Sequence, residues 1–305
     1  MKTDKIAAMT MVYGSERLLK LWVEHYGRLV GHEHLCVISH GDNPVHREIC
    51  QGLNHIVLPR AFDKTFSLLR TKMVTNMVDA FLSAYHAVVF TDVDEFIALD
   101  PAVDMSFADY LRAQDPTMAR APIGLNVVPA EVFDPEAPKD DAEAPLSHPL
   151  RINHDVVFAP HMCKPMVTYK RTSYIHGFHG TVRYGPNQEA DMLLDPNLVQ
   201  FHLKYIVDYD SRYKALTADL DAVREQHPDT KNQQHWKDAD DVYSDFVARL
   251  RRNPHLGQAR PADIIDGKVE LVRRNEKPAA YGIRTVDGKR PEQAFTLPPE
   301  FRELI

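Results

Sequence analysis

The alternation of apolar and polar residues opens on an apolar run, Ile6 to Tyr13, that reads as a strand. Gly14-Ser15-Glu16 follows as a turn, with Ser15 as candidate N-cap of the next element. Leu18, Leu19, Trp22, Val23 and Tyr26 recur at helical spacing and predict a helix over 16–29, with Gly27 and Gly31 marking its exit. A second strand over 34–39 runs into the turn cluster His40-Gly41-Asp42-Asn43-Pro44. Strand, helix and strand of these lengths form a βαβ unit, which points to a parallel sheet.

His55 to Pro59 gives a short third strand, and 66–85 a long helix with Leu68, Leu69, Met73, Met77 and Phe81 on one side. Arg70, Lys72 and Asn76 are polar groups on that helix, with a solvated face as the plain alternative. The helix leads into the stretch that organises the chain, Ala87-Val88-Val89-Phe90-Thr91-Asp92-Val93-Asp94-Glu95-Phe96-Ile97. Its Val-rich start suits a strand covered on both faces. Ligands of open α/β sheets bind outside the carboxyl ends of the strands, so Asp92 and Asp94 are expected at the rim of a cleft. Alternate residues of an extended chain point the same way, which puts these two acids on one face and Glu95 on another. Two such carboxylates suit a hard divalent cation, Mg²⁺ or Mn²⁺. A solvated strand end with helix-capping acids is the competing reading.

Further on, 106–113 reads as a short helix and 121–128 as a strand, and 129–149 carries five prolines with little periodicity, which reads either as a mobile irregular loop beside the cleft or as plain disorder. Two dense patches follow. Cys163-Lys164-Pro165-Met166-Val167-Thr168-Tyr169 precedes Tyr174-Ile175-His176-Gly177-Phe178-His179-Gly180, a strand and a glycine-flanked histidine pair. Leu198-Val199-Gln200-Phe201-His202-Leu203-Lys204-Tyr205 ends a strand in polar groups. Helices are expected over 208–225, with Tyr213, Leu216 and Leu220, and over 238–251, with Val242, Phe246 and Leu250; a strand is expected over 268–272. The fold expectation is an α/β domain over 1–206, with a mostly parallel, Rossmann-like central sheet flanked by helices, and a largely helical extension over 207–305 packed on it.

Composition narrows the class without changing this picture. The 305 residues are 44% hydrophobic, enough to bury a full core. A net charge of −7 and the lack of a basic stripe argue against nucleic acid as a partner. Three widely spaced cysteines, Cys36, Cys50 and Cys163, suggest neither a disulfide framework nor a thiolate zinc site, and a reduced, cytoplasmic setting fits best. No apolar run approaches the ~18 residues of a membrane span, which leaves peripheral membrane contact as the open route to a bilayer.

Four places in the chain resemble the bacterial family-2-like glycosyltransferases with a GT-A fold, in the group whose strand motif reads Asp-x-Asp-Glu-Phe. They are Met9 to Tyr26; Asp92-Val93-Asp94-Glu95-Phe96; Lys164-Pro165 with Gly177-Phe178-His179; and His202-Leu203-Lys204-Tyr205. Gly14-Ser15-Glu16 departs from the Arg-Asn-Glu of many members. The resemblance implies a metal-dependent transferase that takes a sugar from a nucleoside-diphosphate sugar to a glycan or other hydroxyl acceptor, in glycan or cell-surface polysaccharide synthesis. Asp92 or Asp94, or both, would hold Mn²⁺ or Mg²⁺ against the donor diphosphate. His179, ranked first, or His202 would add to the metal or diphosphate, and Lys164 or Lys204 would add positive charge. Thr10, Val12 and Tyr13 at the end of the first strand, Asp42 and Lys72 match the places where the nucleoside rests. Family 2 further implies inversion, with a carboxylate taking the acceptor's proton. Glu131, Asp134, Asp155, Glu189 and Asp191 are not separated by any motif, so none is assigned as the base. Two rivals stand beside this reading: a non-catalytic nucleotide- or glycan-binding module of the same fold, and a haloacid-dehalogenase-type phosphatase, whose motif normally continues Gly-Thr where this chain has Glu95-Phe96.

Overall fold

The first βαβ unit forms as the spacing requires. In the computed structural model, which describes residues 3–60, 65–138, 146–184, 189–226, 239–276, 278–288 and 293–305, β1 (Ile6–Val12) leads through α1 (Glu16–Val30) into β2 (Leu35–His40). α2 (Pro44–Ile49), β3 (Asn54–Leu58) and α3 (Phe66–Leu82) follow, and then the motif strand β4 (Ala87–Asp92). The four strands run parallel in the order β3-β2-β1-β4.

Period-two alternation decides what each face of β1 and β4 meets. Ile6, Ala8 and Val12 of β1 and Ala87 and Val89 of β4 pack with Leu18, Leu19, Trp22 and Tyr26 of α1. Ala7, Met9 and Met11, with Val88 and Phe90, pack instead on Val74, Val78 and Leu82 of α3. Leu18, Leu19, Trp22 and Tyr26 are fully buried, and each such side chain stabilises the fold by about 1.5–3 kcal/mol. The Trp22 indole N–H donates to Thr91 Oγ1 at 2.8 Å, so α1 grips β4 one residue before Asp92. On α3 the buried stripe is Val74, Val78 and Leu82, with Met73, Met77 and Phe81 packed against it. Leu68 and Leu69, expected on that stripe, are 59% and 55% exposed in the first turn.

After β4 the architecture departs from a parallel sheet. The chain turns at once into β5 (Glu95–Leu99), then α4 (Phe107–Arg112), β6 (Ala119–Val127), α5 (Pro149–Ile152) and β7 (Asp155–Phe158). β8 (Val167–Thr168), β9 (Ser173–Tyr174), β10 (Thr181–Arg183) and β11 (Met192–His202) complete the first two hundred residues. β8 lies antiparallel between β4 and β6, β7 is antiparallel to β6, and β5 is antiparallel to β11. Only β6 and β11 add another parallel pair among the described residues. The large sheet is mostly parallel, as expected, but mixed, with β5, β7 and β8 running antiparallel to their neighbours.

The segment after 206 also differs from expectation. α6 (Tyr209–Gln226), α7 (Ala239–Arg252) and α8 (Pro261–Ile265) are joined by β12 (Val269–Glu276), β13 (Ala279–Thr285) and β14 (Ala294–Thr296). β14 pairs with β7 at the edge of the large sheet, and β12-β13-β10-β9 form a second, antiparallel sheet. The extension is thus only partly helical and adds strands to both sheets. The side chains of Tyr213, Leu216 and Leu220 lie outside the described residues, as do residues 139–145 of the proline-rich loop. No helix of the described residues is long and apolar enough to cross a membrane.

Candidate functional site

A cleft of about 720 Å³ opens at the carboxyl ends of β1, β2 and β4. Met11, Val12, His40 and Asp92 reach it from the strand ends, Phe66 and Arg70 from α3, and Arg212 and Asp219 from α6. It lies where ligands bind in open parallel α/β sheets.

Asp92 takes its surroundings from the alternation of β4. It shares the face of Val88 and Phe90, which looks toward α3, and there the Arg70 guanidinium pairs with its Oδ1. Lys164 Nζ stands 3.1 Å from Asp92 Oδ2 and 2.5 Å from Glu95 Oε1. Glu95 Oε2 in turn accepts the Asp92 backbone N–H at 3.1 Å, closing the turn on itself. Burial pushes the Asp92 carboxyl up, yet Arg70 and Lys164 together outweigh it and hold Asp92 below the usual carboxylate range. Burial also pushes Glu95 up, and there it prevails over Lys164. Lys164 loses charge stability by burial but regains more from Glu95 and Asp92, so it stays protonated.

Asp94 belongs to a different set of partners. β4 ends at Asp92, so residues 93 and 94 form a turn and strand alternation no longer governs Asp94. Its Oδ2 accepts Arg212 Nη2–H at 2.6 Å and lies 3.5 Å from His202 Nε2. Burial raises the Asp94 carboxyl, but Arg212 and His202 more than reverse this and place it well below the usual range. The other ring nitrogen of His202, Nδ1, is 2.8 Å from Asn126 Oδ1, which holds the ring with Nε2 facing Asp94.

Val12, Tyr13, Asp92, Asp94, Lys164, His179, His202 and Lys204 all line this one cleft. Three other residues expected there do not. Thr10 is completely buried beside Thr91 on the α1 face, one alternation away from the cleft. Asp42 lies past the end of β2 and pairs on the surface with Arg47 of α2 at 2.7 Å, leaving His40 at the strand end. Lys72 is exposed on α3, outside the cleft lining. Ser15 occupies the N-cap position of α1, its carbonyl accepting Leu19 N–H at 2.9 Å, but in the left-handed region at φ 58, ψ 43 and without a side-chain capping bond. Of the five acids weighed as bases none lines the cleft; Asp191, for example, pairs with Arg183, and Asp155 accepts the Thr296 hydroxyl. The two histidines have different surroundings. His202 faces a motif carboxylate, whereas His179 Nδ1 bonds to the His161 carbonyl at 2.6 Å, and burial with the Lys164 charge brings its pKa down to about 4.

Sequence reasoning missed two residues that the fold brings in. Arg212 and Arg60 are separated from their partners by long stretches of chain and leave no local pattern. The Arg60 guanidinium lies 3.6 Å over the Tyr13 ring and donates to His40 Nδ1 at 2.8 Å, while His40 stacks on Phe66 at 4.8 Å. Tyr13 is 53% exposed, so an aromatic face stands at the cleft rim beside fixed positive charge.

Among the described residues no group of three metal ligands converges. Two donors do fit a divalent ion. The His202–Asp94 separation of 3.5 Å exceeds N–H···O range, and it can be spanned by two ligands each about 2.1 Å from one ion. Magnesium-type ions use one or two protein ligands and complete their shell with water and substrate phosphate. Searches against protein-family models and curated proteins found no match.

Proposed function

We propose that this chain is a glycosyltransferase that moves a sugar from a nucleoside-diphosphate sugar to a hydroxyl acceptor, in glycan or cell-surface polysaccharide synthesis, with Mn²⁺ or Mg²⁺ as cofactor. The observation that carries the reading is the Asp94–His202 pair at the end of the motif strand, ringed by Arg70, Lys164, Lys204 and Arg212 in one cleft. A cleft of this kind suits a ligand with several negative charges at one end and an aromatic base at the other. The half-exposed Tyr13 ring, held from one side by Arg60, offers the base a stacking surface.

Asp94 and His202 would hold the ion, which when bound acts as a Lewis acid on the diphosphate. Lys164 and Arg70 hold Asp92 and Glu95 in place, so the cleft keeps its shape as the donor enters. Lys204, whose charge burial disfavours, gains stability from a phosphate partner and contributes to holding the leaving nucleoside diphosphate. The acceptor hydroxyl attacks the anomeric carbon as the bond to the diphosphate breaks, and its proton passes to a carboxylate or water. Asp92, pinned between Arg70 and Lys164, is poorly disposed as the nucleophile that the phosphatase reading requires.

A panel of nucleotide sugars and nucleoside diphosphates, read by thermal shift with and without Mn²⁺, tests the reading. One donor is expected to raise Tm in a Mn²⁺-dependent manner and to release its nucleoside diphosphate slowly to water. Stabilisation by a donor without hydrolysis or transfer to any sugar acceptor would favour the non-catalytic binding module. No stabilisation by any member of the panel would remove the proposal.

A further inference from the structure

We infer that Arg212 is an exchangeable partner: it neutralises Asp94 while the cleft is empty and moves to the donor's diphosphate when a divalent ion takes Asp94. The inference rests on the glycosyltransferase reading and extends it to a residue that the motif pattern does not mark.

The crowding around one carboxylate carries the argument. Arg212 Nη2 lies 2.6 Å from Asp94 Oδ2, and His202 Nε2 faces the same oxygen at 3.5 Å. An ion held by Asp94 and His202 lies against the same Oδ2 that the guanidinium now occupies. The two cations also repel each other at that distance. Arg212 must therefore give way when the ion arrives. Lys204 lines the same end of the cleft, near both Asp94 and Arg212. A released guanidinium needs an anion, and its planar fork suits phosphate oxygens.

The backbone around Arg212 keeps it near the same place during the exchange. Its Nη1 also donates to the Val207 carbonyl at 3.2 Å. Asp208, at the start of α6, holds a left-handed φ of 46 and accepts Arg17 of α1 at 3.1 Å. Further along α6, Asp219 pairs with Arg60 beside Tyr13. Ion pairs on either side of Arg212, Asp208 with Arg17 and Asp219 with Arg60, thus tether α6, and only the side chain has to swing.

An exchange of this kind couples the two ligands. Ion alone binds against Arg212, whereas ion with diphosphate gives Arg212 a new partner, so each ligand tightens the other. The test measures Mn²⁺ affinity by calorimetry for the full chain, alone and with saturating UDP, GDP, ADP or dTDP. In the unaltered protein one nucleotide is expected to tighten Mn²⁺ by about tenfold or more. Arg212→Gln is expected to bind Mn²⁺ alone severalfold more tightly than the unaltered protein, to bind that nucleotide severalfold more weakly, and to lose most of the coupling. Arg212→Lys keeps the charge and must fall between the two in both affinities. Arg212→Gln with unchanged or weaker affinity for Mn²⁺ alone, at intact circular dichroism, overturns the inference and leaves the glycosyltransferase reading standing. Arg212→Lys indistinguishable from Arg212→Gln overturns it as well, even where the Gln variant folds poorly. An unaltered protein that binds neither Mn²⁺ nor any nucleotide overturns both.

Discussion

Lys164 Nζ lies 2.5 Å from Glu95 Oε1, and both side chains are almost completely buried beneath the motif turn. The ammonium reaches across to Asp92 as well, while Glu95 closes the turn onto the Asp92 backbone. Asp92, Glu95 and Lys164 therefore form the frame that fixes where Asp94 stands. A buried charge set of this kind is costly to break at one member, because the remaining charges are left without partners.

Lys164→Met is expected to destabilise the protein by about 3–5 kcal/mol, since it leaves Glu95 buried and unpaired. Adding Glu95→Gln should recover a large part of that loss, because the uncompensated charge is removed. Urea denaturation of the two single variants and the double variant gives the coupling directly. Additive losses would mean that Lys164 acts through packing alone.

His202 and His179 separate by their partners. His202→Gln removes the imidazole facing Asp94 and should weaken Mn²⁺-dependent nucleotide binding by about tenfold or more, in line with loss of a metal ligand. His179→Gln, on a ring turned onto the His161 carbonyl, should leave the Mn²⁺ dependence nearly unchanged. Calorimetry with and without the metal reads the contrast, and the reverse ranking would return the metal role to His179.

The parallel half of the fold was legible because it repeats local signals. Trp22 and Tyr26 show the helical period, and Val88 to Phe90 show the buried strand. The antiparallel half was not, because β8 and β9 are two residues each and carry no period that a sequence can display. The cleft divides in the same way. Asp92, Asp94 and Lys164 stand in dense motifs, whereas Arg212 meets Asp94 across 118 positions and Arg60 meets Asp219 across 159. Asp42 failed for a local reason: Asn43 caps α2 by accepting Val45 and His46 N–H groups, and the chain has already turned to the surface there.

Gly180 joins the histidine loop to the second sheet. A Cβ at this position would come within 1.9 Å of the Tyr281 carbonyl oxygen, a backbone atom of β13 that cannot swing aside. Gly180→Ala should therefore force β10 and β13 apart and destabilise the protein by about 1–3 kcal/mol. Because His179 is the adjacent residue, the loop should also lose protection in hydrogen exchange. Unchanged stability would mean that the two strands part without cost.

His25 supplies a pH dependence with a definite sign. It is buried under Phe96 and Tyr26, its Nε2–H donates to the Ile97 carbonyl at 2.9 Å, and burial brings its pKa down from 6.5 to about 4. The unfolded chain binds the proton more readily than the fold does, so stability is fully present above about pH 6.5 and falls as the pH drops toward 4. At pH 5 the loss from this one group is about 2 kcal/mol. His179, also brought down to about 4, adds a loss of the same sign. His25→Gln keeps a side-chain donor for Ile97 without a titrating ring, so its stability should fall about half as steeply between pH 6.5 and 5 as that of the unaltered protein. Urea midpoints at the two pH values measure the difference. Equal slopes would place the acid sensitivity elsewhere, with the ion-paired Asp92 and Asp94 excluded because their contribution is lost only below the usual carboxylate range.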